Sequence, residues 1–247
     1  MPRFNISLAG ILLVACLAGE SCLAQTAKLS LTTGALPPLT SAPGHAGFLN
    51  ELVRAAFERI GVEVEVTTAP PARSLINANA GLVDGDLWRI AGIEQDYPNL
   101  VRVPEMLLDN EFIAYTKRAD IRIRDWSDLR PHAVAYVTGW KPYELNVKGA
   151  KEVTKAASLE QLFPLLEKGR ADVILMDRWQ WWWVARQNGY DKVRLIEWPL
   201  ARLEEFMYLN KKHAALVPKV ARALADMKAD GSYKKLYDTH LGPLDPR

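Results

Sequence analysis

Two stretches of this chain deliver a charged side chain at the end of the same nine-residue frame. Residues 81–89 read GLVDGDLWR and residues 169–177 read GRADVILMD. In each, Asp stands three positions after Gly, Leu six positions after it, and a charge eight positions after it: Arg89 in the first, Asp177 in the second. A guanidinium fork can hold a carboxylate through two parallel hydrogen bonds. At position 89 it either grips an acidic ligand or closes an internal ion pair with Asp86 or Glu94. A carboxylate at position 177 can accept from an ammonium or hydroxyl group, and it can also cap the helix that RWQWWWVARQ should form directly behind it. Trp88 and Trp140 stand beside these residues at strand ends, where an indole stacks on a ligand, covers a cation or packs as a lid. Thr33, Tyr115 and Thr138 stand at other strand ends and could offer hydroxyls. Arg73, just after Pro70-Pro71, either reaches an anion or lies on a solvated helix face.

Each frame follows a helix-like run, PPARSLINANA in one case and SLEQLFPLLEK in the other. Glycine suits the position just past a helix, where positive φ is often needed. A short apolar run then reads as a buried strand. Both frames are therefore helix, Gly stop, strand, and a charge at the strand's C-terminal end, the end at which open parallel sheets bind ligands. Asp84 and Asp172, early in the two strands, are expected to hold the tight connection from the preceding glycine.

The remaining elements follow the same alternation. Strands are expected at 29–33, 62–67, 112–116, 132–137, 172–176 and 193–196, with a shorter one in LVRV after the Tyr97-Pro98-Asn99 turn. Phe48, Leu49, Leu52, Val53, Ala56, Phe57 and Ile60 recur at helical spacing. Further helices are expected from Pro70-Pro71, at 178–187, and around 214–229 and 233–240. Ser158 with Gln161 has the capping-box pattern for the helix that ends at Gly169, and Pro164 inside it should kink or shorten it. The polar run KRADIRIRDWSDLRP after 112–116 marks a first crossover between two halves, and 206–209 a second. Trp179, Trp182 and Trp183 fall near one helix face and are expected to pack against the sheet. The fold class is α/β with mostly parallel sheets.

A hydrophobic content of 49%, a charged content of 24% and a net charge of +2 are those of an ordinary globular chain. Lys and Arg are interspersed with Asp and Glu, so no nucleic-acid footprint is present. Arg3, the apolar run 6–18 and GESCLA before Gln25 have the three-part layout of a secretory leader cleaved after Ala24, residues 1–24. Leu13-Val14-Ala15-Cys16 also resembles a lipid-attachment box, so anchoring at Cys16 is the competing expectation. Cleavage after Ala24 removes both Cys16 and Cys22 and leaves the mature chain without a thiol. His45, His132, His213 and His240 have no metal-ligand spacing, and no phosphate-binding loop or nucleophile elbow occurs. No cofactor or metal is expected.

The order strand, Pro-rich loop, Gly47-Phe48, amphipathic helix, Gly61-Val62 resembles the extracellular solute-binding protein family 3, the periplasmic receptors of polar amino-acid ABC importers. Gly81-Leu82-Val83-Asp84-Gly85 is similar to that family's G-x-V-D-A run. The segment from Ala171 to Asp177 is similar to its second-lobe A-D-A-hydrophobic-D run, and MKADGSYKKL at 227–236 to its closing motif. Two features differ. The family's Thr-x-x-Arg is absent, its Arg position falling near Asp96, and Thr138-Gly139-Trp140-Lys141 replaces its Gly-Thr/Ser-Thr run.

The resemblance implies a bilobal type II periplasmic-binding-protein-like fold, two α/β lobes joined by two crossover strands. Lobe one would comprise 25–115 and 206–247, and lobe two 116–205. It implies a monomeric periplasmic protein that captures a small polar solute, zwitterionic or anionic, for an ABC permease. Asp177 would hold an ammonium, Arg89 an acid group, and Trp88, Tyr115, Thr33, Thr138, Trp140 and Arg73 would complete the cleft. The same fold also implies two alternatives: a cyclohexadienyl-dehydratase-like enzyme with Asp86, Asp177 or Glu94 as general acid, or a stand-alone sensing module.

Overall fold

A computed structural model describes residues 28–189, 192–196 and 198–244; the expected leader, with Cys16 and Cys22, lies outside the described residues. The alternation near the start forms β1 (Lys28–Thr33), with Leu29 and Leu31 buried. After the Pro-rich loop comes α1 (Phe48–Glu58), which buries Phe48, Leu49, Leu52, Val53, Ala56 and Phe57 along one face. Then β2 (Glu63–Thr68) precedes α2 (Pro71–Asn79), whose first turn accommodates Pro71 because no intrahelical donor is lost there. The first frame supplies β3 (Gly85–Ile90), followed by β4 (Leu100–Arg102) and β5 (Leu108–Thr116). The second half comprises β6 (Ala133–Val137), α3 (Lys141–Asn146), β7 (Glu152–Ala156), α4 (Leu162–Glu167), β8 (Val173–Asp177), α5 (Arg178–Asn188) and β9 (Arg194–Leu195). The long β10 (Ala201–Asn210) returns to the first half, and α6 (Val217–Ala229) and α7 (Ser232–His240) close the described chain. No helix among the described residues is long and apolar enough to cross a membrane.

The strands form one order, β2-β1-β3-β10-β5-β8-β6-β7, which divides into two equivalent halves. In the first, β1 lies parallel between β2 and β3, and β10 runs antiparallel to β3. In the second, β6 lies parallel between β7 and β8, and β5 runs antiparallel to β8. The halves meet where 201–205 of β10 pairs antiparallel with 108–112 of β5.

The paired frames hold in atomic detail. Gly81 has φ of 75° and Gly169 of 64°, the left-handed conformation expected after a helix. Asp84 exchanges backbone and side-chain bonds with Ser30: its N–H donates to Ser30 O at 2.6 Å and its Oδ2 accepts from Ser30 N–H at 2.8 Å. Asp172 makes the same pair of bonds to Ala133, at 2.8 and 2.9 Å. Each aspartate thus stitches the third strand of its half to the start of the first.

Gly85 admits no side chain. A Cβ there would lie 2.3 Å from the backbone O of Tyr208 on β10. Gly85→Ala must push β3 and β10 apart, and we expect a loss of about 2–3 kcal/mol in a urea titration followed by far-UV circular dichroism.

Two expectations need adjustment. At the start of the α4 region Ser158 makes no capping bond and the Gln161 side chain accepts instead from the N–H of Ala157, one residue before the cap, at 2.9 Å, so the capping box does not form. Helix α4 is short, and Pro164 lies within it. Of the three tryptophans expected on one face, Trp179 does meet Trp182, ring centres 5.1 Å apart, but Trp179 packs on Tyr237 of α7 and Trp183 on His45 of the Pro-rich loop, while Trp181, outside that set, stacks on Tyr115 with ring centres 4.7 Å apart. Four aromatics within five residues of a helix cannot all face one way at 3.6 residues per turn, so α5 packs on two sides.

Candidate functional site

The C-terminal ends of β3 and β8, which carry Arg89 and Asp177, face a common cavity between the two halves. One wall is Leu36, Trp88, Arg89 and Ile90 of the first half. The other is the turn after β6 with Gly139 and Trp140, the start of α3 with Lys141 and Pro142, and Asp177 and Gln180 at the start of α5. The crossover strands supply the floor through Phe112 and Glu205. The structure therefore brings together Arg89, Asp177, Trp88 and Trp140. Thr33 and Tyr115 are buried off this cavity, Thr138 is exposed and donates to Ala156 O at 3.1 Å, and Arg73 is exposed on α2.

Asp177 is 3% exposed and caps α5, accepting from Gln180 N–H at 2.9 Å. The cap orients the carboxyl without neutralising it. Burial raises it to about 7, against the opposing pull of the Gln180 and Trp179 backbone N–H groups. Glu205 is 5% exposed and accepts from Asn110 Nδ2 at 3.1 Å. Burial, with the Asp177 charge second, pushes its carboxyl well above the ordinary value, and Arg89 offsets only part of this. Among the described residues neither carboxylate has a Lys, Arg or His partner at ion-pair distance.

Arg89 forms the internal pair. Its Nη2 donates to Asp86 Oδ2 at 2.8 Å and to Pro71 O at 3.1 Å. Ser74 Oγ donates to the same Asp86 oxygen at 2.6 Å. Burial raises the Asp86 carboxyl, with Arg89 and Ser74 opposing. This buried network fixes the guanidinium, yet its Nε–H has no partner among the described residues. The indole N–H groups of Trp88 and Trp140 and both ends of the Gln180 amide are equally unpartnered. Buried polar atoms are rarely left so, and these four residues all line the cavity, while others without partners, on Thr33, His45, Tyr115 and Tyr143, lie off its lining. Glu94 is placed differently: it accepts from Tyr208 OH at 3.0 Å, and its carboxyl sits below the ordinary value because these hydrogen bonds and Arg102 outweigh burial.

The cavity volume is only 40 Å³, room for a few waters. Contacts across the halves hold it shut. Gly139, with φ of 86°, brings the second half against the N–H of Ala72 on α2, and the Lys141 ammonium lies 5.5 Å from the centre of the Tyr97 ring. Larger hollows of 270 and 290 Å³ occur elsewhere, the first behind the crossover strands around Met106, Arg178 and Tyr233, the second between 34–36 and 157–160. Neither contains an unpaired buried carboxylate.

Glu205, Gln180 and Lys141 were missed from sequence. The pair Glu204-Glu205 reads as solvated charge, yet in β10 the two side chains alternate, and only Glu205 turns inward. Its signal was its position at the start of the second crossover.

The ionisation of Asp177 has a consequence for stability. Its folded value of about 7 stands above the ordinary 3.8, so its stabilising protonation is complete below about pH 4 and is lost as pH rises through about 7. Glu205 acts in the same direction. The ligand-free protein is therefore expected to lose thermal stability between about pH 5 and about pH 8, by roughly 3 kcal/mol from Asp177. Calorimetric midpoints across that range check this; a midpoint that rises instead contradicts the burial of an unpaired carboxyl.

The fold is a bilobal α/β architecture of the periplasmic-binding-protein type. An ancestral arginine-binding protein bound to glutamine superposes with a TM-score of 0.75 at 22% identity, over 87% of this chain and 98% of its own. A histidine kinase sensor domain with similarity to periplasmic binding proteins gives 0.76 at 19%, over 87% and 96%. The GluR0 ligand-binding core from Nostoc punctiforme, in complex with L-glutamate, gives 0.73 at 21%, over 86% and 99%. In sequence, an uncharacterized protein of Shewanella oneidensis is 25% identical over 188 residues, 73% of this chain and 70% of that protein. No protein-family model matches.

Proposed function

We propose that the protein is an extracytoplasmic solute-binding protein that captures a small, amino-acid-like polar ligand in the cleft between its lobes. One observation carries this reading: two unpaired buried carboxyls and several unpartnered N–H groups surround the same interlobe cavity. A polar ligand supplies what each of them lacks. Bilobal neighbours with bound glutamine and glutamate support it by analogy of fold. A divergent member of solute-binding family 3 is the corresponding assignment.

In this reading lobe one is 25–115 with 206–247 and lobe two is 116–205. Bending of the paired segments 108–112 and 201–205 opens the cleft to admit ligand. Residues 1–24 direct export to the periplasm, and a monomer hands its ligand to an ABC permease. A sensory role for the same closure is the counterpart suggested by the histidine kinase sensor neighbour.

A lyase reading has one observation in its favour, an Asp177 carboxyl raised to about 7, the range useful to a general acid. The two readings separate in a single experiment. The purified protein is mixed with small metabolites and its thermal midpoint and product formation are both followed. A binding protein gains about 2.7 kcal/mol at a ligand concentration 100-fold above Kd and leaves the ligand intact. Catalytic turnover of prephenate or arogenate establishes the lyase.

A further inference from the structure

The charges around the cleft do not balance. Four ionisable side chains line the cavity: Asp177, Glu205, Arg89 and Lys141. Both cations are already engaged. Arg89 is held by Asp86, and Lys141 Nζ lies 3.4 Å from Glu144 and over the Tyr97 ring. Among the described residues the two carboxyls have only neutral donors, the Gln180 and Trp179 N–H groups for Asp177 and Asn110 Nδ2 for Glu205.

A ligand without net charge leaves this imbalance in place, and its carboxylate would share Arg89, through the free Nε–H, with Asp86. A ligand with excess positive charge cancels it, and burying a carboxylate is tolerated when a cation accompanies it. The walls suit such a ligand as well. Trp88 and Trp140 offer aromatic surface to a cation, and their unpartnered N–H groups can donate to a carbonyl, hydroxyl or carboxylate oxygen at its other end.

We propose that the cleft selects small ligands of net positive charge, amines and guanidines with at most one carboxylate, and that Glu205 on β10 sets this preference by adding a second negative charge to that of Asp177. The inference rests on the binding-protein reading and narrows its ligand class. It also implies linked proton release. Burial raises both carboxyls, and Glu205 faces Asp177, Arg89 and Asp109 while Tyr115 and Tyr143 face Asp177. A cation bound beside the pair therefore favours loss of a proton from it.

The test is a calorimetric titration of wild type and Glu205→Gln with glutamate, glutamine, lysine, arginine, agmatine and 1,4-diaminobutane. Wild type is expected to bind at least one of the four cationic compounds about tenfold or more tighter than glutamine, and glutamate least tightly. Glu205→Gln keeps the shape and an acceptor for Asn110, so its thermal midpoint should hold or rise. It should weaken the cationic ligands by roughly thirtyfold and narrow their margin over glutamine. Repeating the wild-type titration in buffers of different ionisation heat should reveal proton release. If wild type prefers glutamine or glutamate, the charge inference falls while the binding-protein reading stands. If the variant keeps the wild-type ranking, Glu205 does not set it. If none of the six binds, both fall.

Discussion

Asparagine at position 177 is expected to stabilise the ligand-free protein at about pH 8 while removing most of its ligand affinity. The two effects have one cause. In the ligand-free cleft the carboxylate is buried without a cation, and its raised ionisation measures the penalty. Asparagine is neutral and is also a favoured helix cap, so the bond to Gln180 N–H can be kept. Relief of the penalty should raise the thermal midpoint at about pH 8 by several degrees, and the pH dependence of stability should flatten. For a ligand whose ammonium meets this carboxylate, the loss should reach roughly thirtyfold or more, since a buried charge pair broken on one side costs at least about 2 kcal/mol. Scanning calorimetry and isothermal titration give the two numbers. A destabilised Asp177→Asn with intact binding assigns the residue to capping alone.

Gly139→Ala is expected to produce a comparable loss of affinity by a different route. The added Cβ would lie 2.5 Å from the backbone N of Ala72, across the cleft, so the closed form cannot survive without a shift of one lobe. The positive φ of 86° adds strain in any form. Gly169→Ala isolates that second effect, because Gly169 has φ of 64° and open space where its Cβ would stand. Both variants should lose about 1–2 kcal/mol of stability from backbone strain. Only Gly139→Ala should lose binding, by about 100-fold if closure becomes unfavourable by about 2.7 kcal/mol. Its small-angle scattering should report a more open shape in the presence of ligand than wild type shows. Equal affinities in the two variants would separate binding from closure.

The scaffold was legible because its determinants are local and repeated. Helix, glycine stop, aspartate and buried strand recur in the same order at 81–89 and 169–177, and the two aspartates make the same pair of bonds. Elements without an apolar pattern escaped. Strand β7 is an edge strand with mostly exposed residues, and α3 has only six residues, with Pro142 in its first turn. In the cleft, position was readable but pairing was not. Strand ends indicated where Arg89 and Asp177 would stand, and both internal partners of Arg89 could be named, but only packing decided that Asp86 holds it. Glu205 needed the phase of β10, which its acidic neighbour Glu204 concealed. The charge of the site thus reverses emphasis: the guanidinium that suggested an acidic ligand is engaged, and the carboxyls are the groups left to bind.

A crystal structure grown with the tightest ligand from the titration series tests the central claim most directly. Ligand density is expected between Trp88, Trp140, Asp177 and Glu205, with a cationic nitrogen within about 3 Å of a carboxylate oxygen. Density instead in the 270 Å³ hollow behind the crossover strands, beside Arg178 and Tyr233, with the interlobe cavity unchanged, would contradict it.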